Sequence, residues 1–216
     1  VRDSAQKVNA KEVRLIYEPM AAAIGVGIDV QKPEGNMIID IGGGTTEIAV
    51  VALGGIVCDK SVKIAGDVFT NDIAYYLRTH HNLYIGERTA ERVKIEVGSA
   101  VEELDVDIED IPVQGRDLIT GKPKEIMVNY KEIARALDKS IIRIEDAVME
   151  VEFGIIGRLH QQQLIEADAE VAIRQLLDDV VAEEHLLGDA VHHHEVVAQA
   201  MHFGKLNQHL LSLRSS

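Results

Sequence analysis

Tryptophan is absent from the 216 residues, and aromatic side chains make up only 4% of them. Ring stacking therefore cannot dominate the interior, and a core has to be assembled from Val, Ile, Leu and Ala. A single cysteine, Cys58, excludes an internal disulfide and points to a reducing cytoplasm. No apolar run approaches the ~20 residues that span a bilayer. The opening VRDSAQKVNAKEV lacks the apolar stretch of a secretory signal. It also lacks a starting Met and reads as a polar helical stretch, which predicts a chain that begins inside a larger protein. Positive charge is the minority sign: 22 Lys and Arg stand against 36 Asp and Glu, a formal net charge of −14. That balance disfavours nonspecific binding to nucleic acid or to an anionic membrane, so no nucleic-acid partner is expected.

What is present is ordinary for a globular protein, with 46% hydrophobic and 27% charged residues. Residues 2–11 read as the end of a helix and Lys11–Tyr17 as a short strand. Met20–Ile28 is small and apolar, which suits a tightly packed helix ending at glycine. A turn at Lys32–Gly35 precedes three apolar runs, at 36–41, 47–53 and 56–65. Glycine-rich turns separate them, which predicts a β-meander. A helix starts at Gly66-Asp67, with Val68, Ile73 and Leu77 apolar and Thr70 as a candidate cap. Residues 85–100 form an amphipathic helix, and 101–112 are strongly acidic, as solvated loops are. Two strands joined at Thr120–Lys124 fill 111–128. A long helix over 130–152 carries Ile133, Leu137, Ile141, Ile144 and Val148 on one face.

Most of the chemistry is concentrated in Asp40-Ile41-Gly42-Gly43-Gly44-Thr45-Thr46-Glu47. Three glycines strip a tight turn of side chains, so a phosphate can approach the backbone N–H groups. Asp40 offers a carboxylate for hydrated Mg²⁺, a hard cation that favours oxygen. Thr45 offers a hydroxyl to a phosphate oxygen or an attacking water. No Gly-Lys-Ser/Thr follows, so this is not a Walker A loop. A triple glycine alone can also do no more than close a hairpin.

The order of four motifs resembles the actin, hexokinase and DnaK-type ATPase superfamily, and within it the MreB family of bacterial actin-like cell-shape proteins. The motifs are Tyr17–Gly25, Asp40–Val50, Ile64–Asp67 and Ile85–Lys94, and the likeness covers about residues 1–150. It implies an α/β fold, the second lobe of an actin-like (ribonuclease H-like) ATPase, and ATP with Mg²⁺ as ligands. It implies roles residue by residue. Glu18 orients the hydrolytic water, Asp40 lies on the Mg²⁺ side through water, and Gly42, Gly43 and Gly44 cradle phosphate. Thr45 helps to place the water, and Gly66 and Asp67 form a turn near the phosphates. Glu91 and Lys94 hold the ribose and base; without the resemblance, their i, i+3 spacing reads as a surface ion pair. The resemblance further implies filament formation, a cytoplasmic protein at the membrane, and partners in the cell-wall elongation machinery.

The expected organisation is a nucleotide-binding subdomain from 1–66 and 130–150, with a mixed sheet, a smaller outer subdomain at 67–129, and an atypical helical or disordered tail at 151–216. The family's first phosphate loop is not in the chain, so the chain alone is expected to be a poor ATPase. Its tail lacks the glycine motif that contacts adenosine. The tail is rich in His, Gln and Leu, as translation of an unintended frame or a lineage-specific replacement would be. His185, His192, His193, His194, Glu195 and His202 include helical spacings that can hold Zn²⁺, but with neither HExxH nor a cysteine. The metal signal is weak, and a solvated His-rich stretch is the preferred reading. Two other readings stand beside the main one. One is a chaperone-like or sugar-kinase-like ATPase, and the other a non-catalytic fragment with only filament contacts.

Overall fold

The computed structural model describes residues 1–104, 108–156 and 196–202. A short helix α1 (Arg2–Lys7) opens the chain, and α2 (Glu18–Gly25) follows with Pro19 in its first turn. Proline is tolerated there because the first turn has no intrahelical acceptor for its missing N–H. The apolar run predicted as a buried strand is β1 (Asn36–Ile41), buried on both faces except at Asp40. Met37, Ile39 and Ile41 enter the main core, whereas Ile38 packs with Ala23 and Val51 beneath α2. Burying each such isoleucine is worth ~1.5–3 kcal/mol relative to leaving it in water.

The meander continues through β2 (Thr46–Ala52) and β3 (Gly55–Val62). The sheet order is β3-β2-β1-β7, where β7 is Val196–His202, and every pairing is antiparallel. Among the described residues the sheet is therefore antiparallel throughout, not mixed as expected from the sequence. β1 lies between β2, its hairpin partner, and β7, and both run against it.

The second layer begins with α3 (Gly66–His80), β4 (Leu83–Tyr84) and α4 (Glu87–Val97). β5 (Ile111–Asp117) and β6 (Pro123–Val128) complete a second sheet, β4-β5-β6. Gly115 is required where β4 meets β5, since a Cβ there would lie 2.5 Å from the Tyr84 carbonyl oxygen. The turn after β5 is tied by Asp117 Oδ1, which accepts from the N–H groups of Ile119 and Thr120.

Helix α5 (Tyr130–Ile156) joins the two layers. Its start is fixed reciprocally: Asn129 Oδ1 accepts from Glu132 N at 3.0 Å, and Glu132 Oε2 accepts from Asn129 N at 3.4 Å. This is a capping box with asparagine as the cap. Ile133, Leu137, Ile141, Ile144 and Val148 are all buried, as their spacing predicts, and α5 packs on β2, β3 and α3. One hydrophobic cluster runs from Met37 on β1 through Leu83 and Val113 to Val151 on α5, so both sheets share a core.

Three local expectations are corrected. Lys11–Tyr17 is not a strand: Leu15, Ile16 and Tyr17 are exposed by 59%, 58% and 75%. An apolar run becomes a strand only where a neighbour completes its ladder, and none lies beside it among the described residues. Thr70 does not cap α3, because the helix has already begun at Gly66 and Thr70 lies in its second turn. In the tail, Val151–Ile156 continues α5 as helix, whereas Val196–His202 forms the strand β7 rather than a helical or disordered stretch. The hydrogen-bonding edge of β1 supplies the partner that β7 needs.

Candidate nucleotide site

The glycine turn connects β1 to β2. It is closed by Gly42 N donating to Thr45 O at 2.9 Å. Gly43, Gly44 and Thr45 are exposed. Their N–H groups bond no backbone acceptor among the described residues. A run of free amide donors with no side chain above it is the geometry that attracts anions. Nothing lies within 4 Å of a Cβ built on Gly44, so the space over the turn is open.

The start of α3 is fastened to this turn. Gly66 N donates to Gly42 O at 3.1 Å, and Asp67 N donates to Gly43 O at 2.8 Å. A Cβ on Gly66 would be 3.2 Å from Lys94 Nζ, so the lysine would have to give way slightly, and 3.7 Å from Gly43 Cα, an ordinary contact. Ala65 makes no side-chain cap. The positive end of the helix dipole therefore adds to the field at the turn.

Helix α4 supplies the next part. Lys94 is 4% exposed, and its Nζ lies 2.9 Å from Glu91 Oε1 and 3.4 Å from Gly66 O. Glu91 Oε2 accepts from the hydroxyl of Thr70. Gly42–Thr45, Gly66, Asp67, Glu91 and Lys94 are thus joined by direct hydrogen bonds into one continuous surface. The i, i+3 pair is not the exposed ion pair that spacing alone suggests, because its lysine is buried against α3.

A carboxylate group flanks the turn on the α2 side. Asp40 is half-buried and pairs across the hairpin with Glu47. Burial pushes the Glu47 carboxyl up from its ordinary range, and the charges of Glu18 and Asp59 push it further. Glu18, exposed in the first turn of α2, therefore lies within electrostatic reach of Glu47. Crowded carboxylates of this kind favour a cation between them and disfavour full ionisation without one. Among the described residues no group of three or more His, Cys, Asp and Glu side chains could hold a metal ion. The Asp40 carboxylate is an oxygen acceptor of the kind that hydrogen-bonds the water shell of a hydrated Mg²⁺.

Three contributors were not assigned a role at the site from the sequence. Glu47 was legible in principle, since residues 40 and 47 face each other in a hairpin closed by 42–45. Thr46 is fully buried, and its hydroxyl donates to Ile64 O at 2.6 Å, so it anchors the turn rather than facing a ligand. Thr70 reaches Glu91 only because α3 and α4 pack together. The tail residues His185, His192, His193, His194 and Glu195 lie outside the described residues, and His202 ends β7.

Residues 1–153 match the family model for MreB/Mbl protein. The chain belongs to the MreB/Mbl family. It is 44% identical over 151 residues to the cell shape-determining protein Mbl of Bacillus subtilis, covering 70% of this chain and 45% of that protein. It is 48% identical over 149 residues to the cell shape-determining protein MreB of Escherichia coli K12, covering 69% and 42%. This MreB/Mbl chain thus spans less than half the length of those curated relatives. Among solved structures, MreB5 of Spiroplasma citri bound to ADP superposes with a TM-score of 0.66 at 38% identity, covering 70% of this chain and 45% of that one. The same protein bound to AMPPNP matches equally well. A non-polymerising MamK mutant has a TM-score of 0.50 at 20% identity, which supports the actin-like fold alone. The α/β actin-like assignment stands, and the MreB/Mbl match separates the chain from the chaperone-like and sugar-kinase-like branches.

Proposed function

We propose that this MreB/Mbl chain forms one wall of an adenine-nucleotide cleft in an actin-like filament protein that directs rod cell shape and cell-wall synthesis. The observation that carries the reading is the fastening of α3 to an open glycine turn. Asp67 N donates to Gly43 O at 2.8 Å, while the Gly43, Gly44 and Thr45 amides bond no backbone acceptor among the described residues. The binding of ADP and AMPPNP by MreB5 of Spiroplasma citri supports it.

In this reading the amides of Gly43, Gly44 and Thr45 bind phosphate oxygens of ATP. Gly66 and Asp67 hold the turn in register with α3. Mg²⁺, when bound, neutralises phosphate charge, and Asp40 accepts hydrogen bonds from its water shell. Glu18 accepts a hydrogen bond from the attacking water, and Thr45 Oγ1 helps to place that water. Glu91 and Lys94 hold the ribose and base. Filament assembly, the cytoplasmic face of the membrane and the cell-wall elongation machinery belong to the same proposal, which the cell-shape names of the relatives support.

A second reading is a nucleotide-independent role through filament contacts alone. The exposed apolar residues Leu15, Ile16, Tyr17 and Ile24 favour it, as a row of this kind suits a protein contact. Calorimetric titration of the chain with ATP, with and without Mg²⁺, separates the two. Saturable binding that strengthens with Mg²⁺ and weakens in Asp40→Asn is expected. Pelleting on self-association with no detectable nucleotide binding would support the second reading and sink the first.

A further inference from the structure

Thr70 stands in the second turn of α3 and is 5% exposed. Its hydroxyl oxygen is 2.9 Å from the carbonyl oxygen of Gly66, and it also lies in hydrogen-bond contact with Glu91 Oε2. A hydroxyl has one proton to give, and a carboxylate accepts more strongly than an amide carbonyl. The proton therefore goes to Glu91. The other oxygen of that carboxylate, Oε1, lies 2.9 Å from Lys94 Nζ.

Each oxygen of Glu91 is thus fixed by its own donor, and the two donors come from different helices. The Glu91 side chain remains 43% exposed. A carboxylate has about four lone-pair sites, and two of them are occupied here. The remaining two lie on a plane that cannot swivel while both donors hold. Two acceptors at fixed spacing are suited to the two adjacent hydroxyls of a ribose. If Thr70 is removed, the single ion pair to Lys94 leaves the carboxylate free to rotate about its last torsion, which has a broad well.

We propose that Thr70 is a positioning residue for sugar recognition, locking the Glu91 carboxylate in the orientation that selects ribonucleotides over deoxyribonucleotides. Thr70 touches no nucleotide itself. The proposal rests on the reading that this surface is a nucleotide site. It adds a residue that sets sugar specificity through its neighbour.

The test measures dissociation constants for ADP and 2′-deoxy-ADP on the full chain and on Thr70→Val and Thr70→Ser. The wild-type chain is expected to favour ADP by about tenfold, the scale of one hydrogen bond to a charged group. Thr70→Val should bring the two constants together, mainly by weakening ADP, and Thr70→Ser should restore the preference. If valine is not accommodated, as judged by thermal unfolding, Thr70→Ala gives the same ratio without extra bulk. Equal weakening of both nucleotides in Thr70→Val would mean a structural role only and would overturn the proposal, as would an unchanged ratio. ADP binding without sugar preference in the wild type sinks this inference alone. Failure of the wild type to bind either nucleotide sinks the nucleotide-site reading, and this inference with it.

Discussion

The backbone N–H of Asp67 donates to the carbonyl oxygen of Gly43 at 2.8 Å. This bond ties the first turn of α3 to the middle of the glycine turn, 24 positions earlier in the chain. The turn is consequently held from both sides, by the hairpin and by the helix. A preformed cradle of that kind loses little entropy when an anion enters.

Gly44 separates binding from folding. A Cβ there meets nothing within 4 Å. Gly44→Ala should change stability by no more than about 0.5 kcal/mol, since no packed neighbour has to move. The same methyl stands where phosphate oxygens would approach, so ADP binding should weaken by about tenfold or more, ~1.4 kcal/mol. Thermal unfolding and calorimetry on one preparation check both halves.

Gly115 shows the opposite behaviour. Its added Cβ would lie 2.5 Å from the Tyr84 carbonyl oxygen and 2.9 Å from Leu83 Cγ. Backbone cannot yield as a flexible side chain can. Gly115→Ala should therefore destabilise the fold by about 1–3 kcal/mol, the usual cost of overpacking. Denaturant unfolding should show a lower midpoint with little change in slope.

The capping box at α5 predicts a smaller loss. Asn129→Ala removes the acceptor for Glu132 N, bonded at 3.0 Å. The expected cost is about 1 kcal/mol. It should appear as a lower melting temperature with nucleotide affinity preserved, because α5 lies in the core and away from the turn.

Two carboxylates predict opposite pH dependences. Glu47 has its pKa raised above 4.5 by burial and then by Glu18 and Asp59, so the folded chain holds that proton more tightly than the unfolded one. Its stability contribution is full below about pH 4.5 and is lost as pH rises through the folded value. Glu47→Gln should therefore raise the melting temperature at pH 7. Asp117 has its pKa lowered below 3.8, chiefly by the Thr120 N–H, with help from the Thr120 hydroxyl, the Ile119 N–H and Lys124. Its contribution is present above about pH 3.8 and is lost as pH falls through the lowered value. Asp117→Ala should lower the melting temperature at pH 7 and flatten the acid limb of the profile.

Periodic and local features were legible in the sequence. The run Asn36–Ile41, the turn Gly42–Thr45 and the stripe from Ile133 to Val148 lie in the elements their patterns predict, because a continuous apolar run marks a strand buried on both faces and a 3.6-residue period marks the buried face of a helix. Lys11–Tyr17 was misread because strand propensity does not reveal whether a partner strand is present. The bond from Thr70 to Glu91 spans 21 positions and exists only through the docking of α4 on α3, so no local pattern announces it. Lys94 looked like a surface cation for the same reason. Its ammonium is buried where α4 meets the start of α3, 3.4 Å from the Gly66 carbonyl oxygen. β7 was missed because the composition of the tail hides a strand whose pairing is supplied by the edge of β1.

Backbone hydrogen exchange of the full chain with and without MgADP tests the central claim most directly. Bound phosphate should slow exchange at the Gly43, Gly44 and Thr45 amides, which have no backbone acceptor among the described residues, and leave the β5–β6 hairpin unchanged. Unchanged exchange at all three amides under saturating MgADP, or protection confined to residues away from the glycine turn and α3, would contradict it.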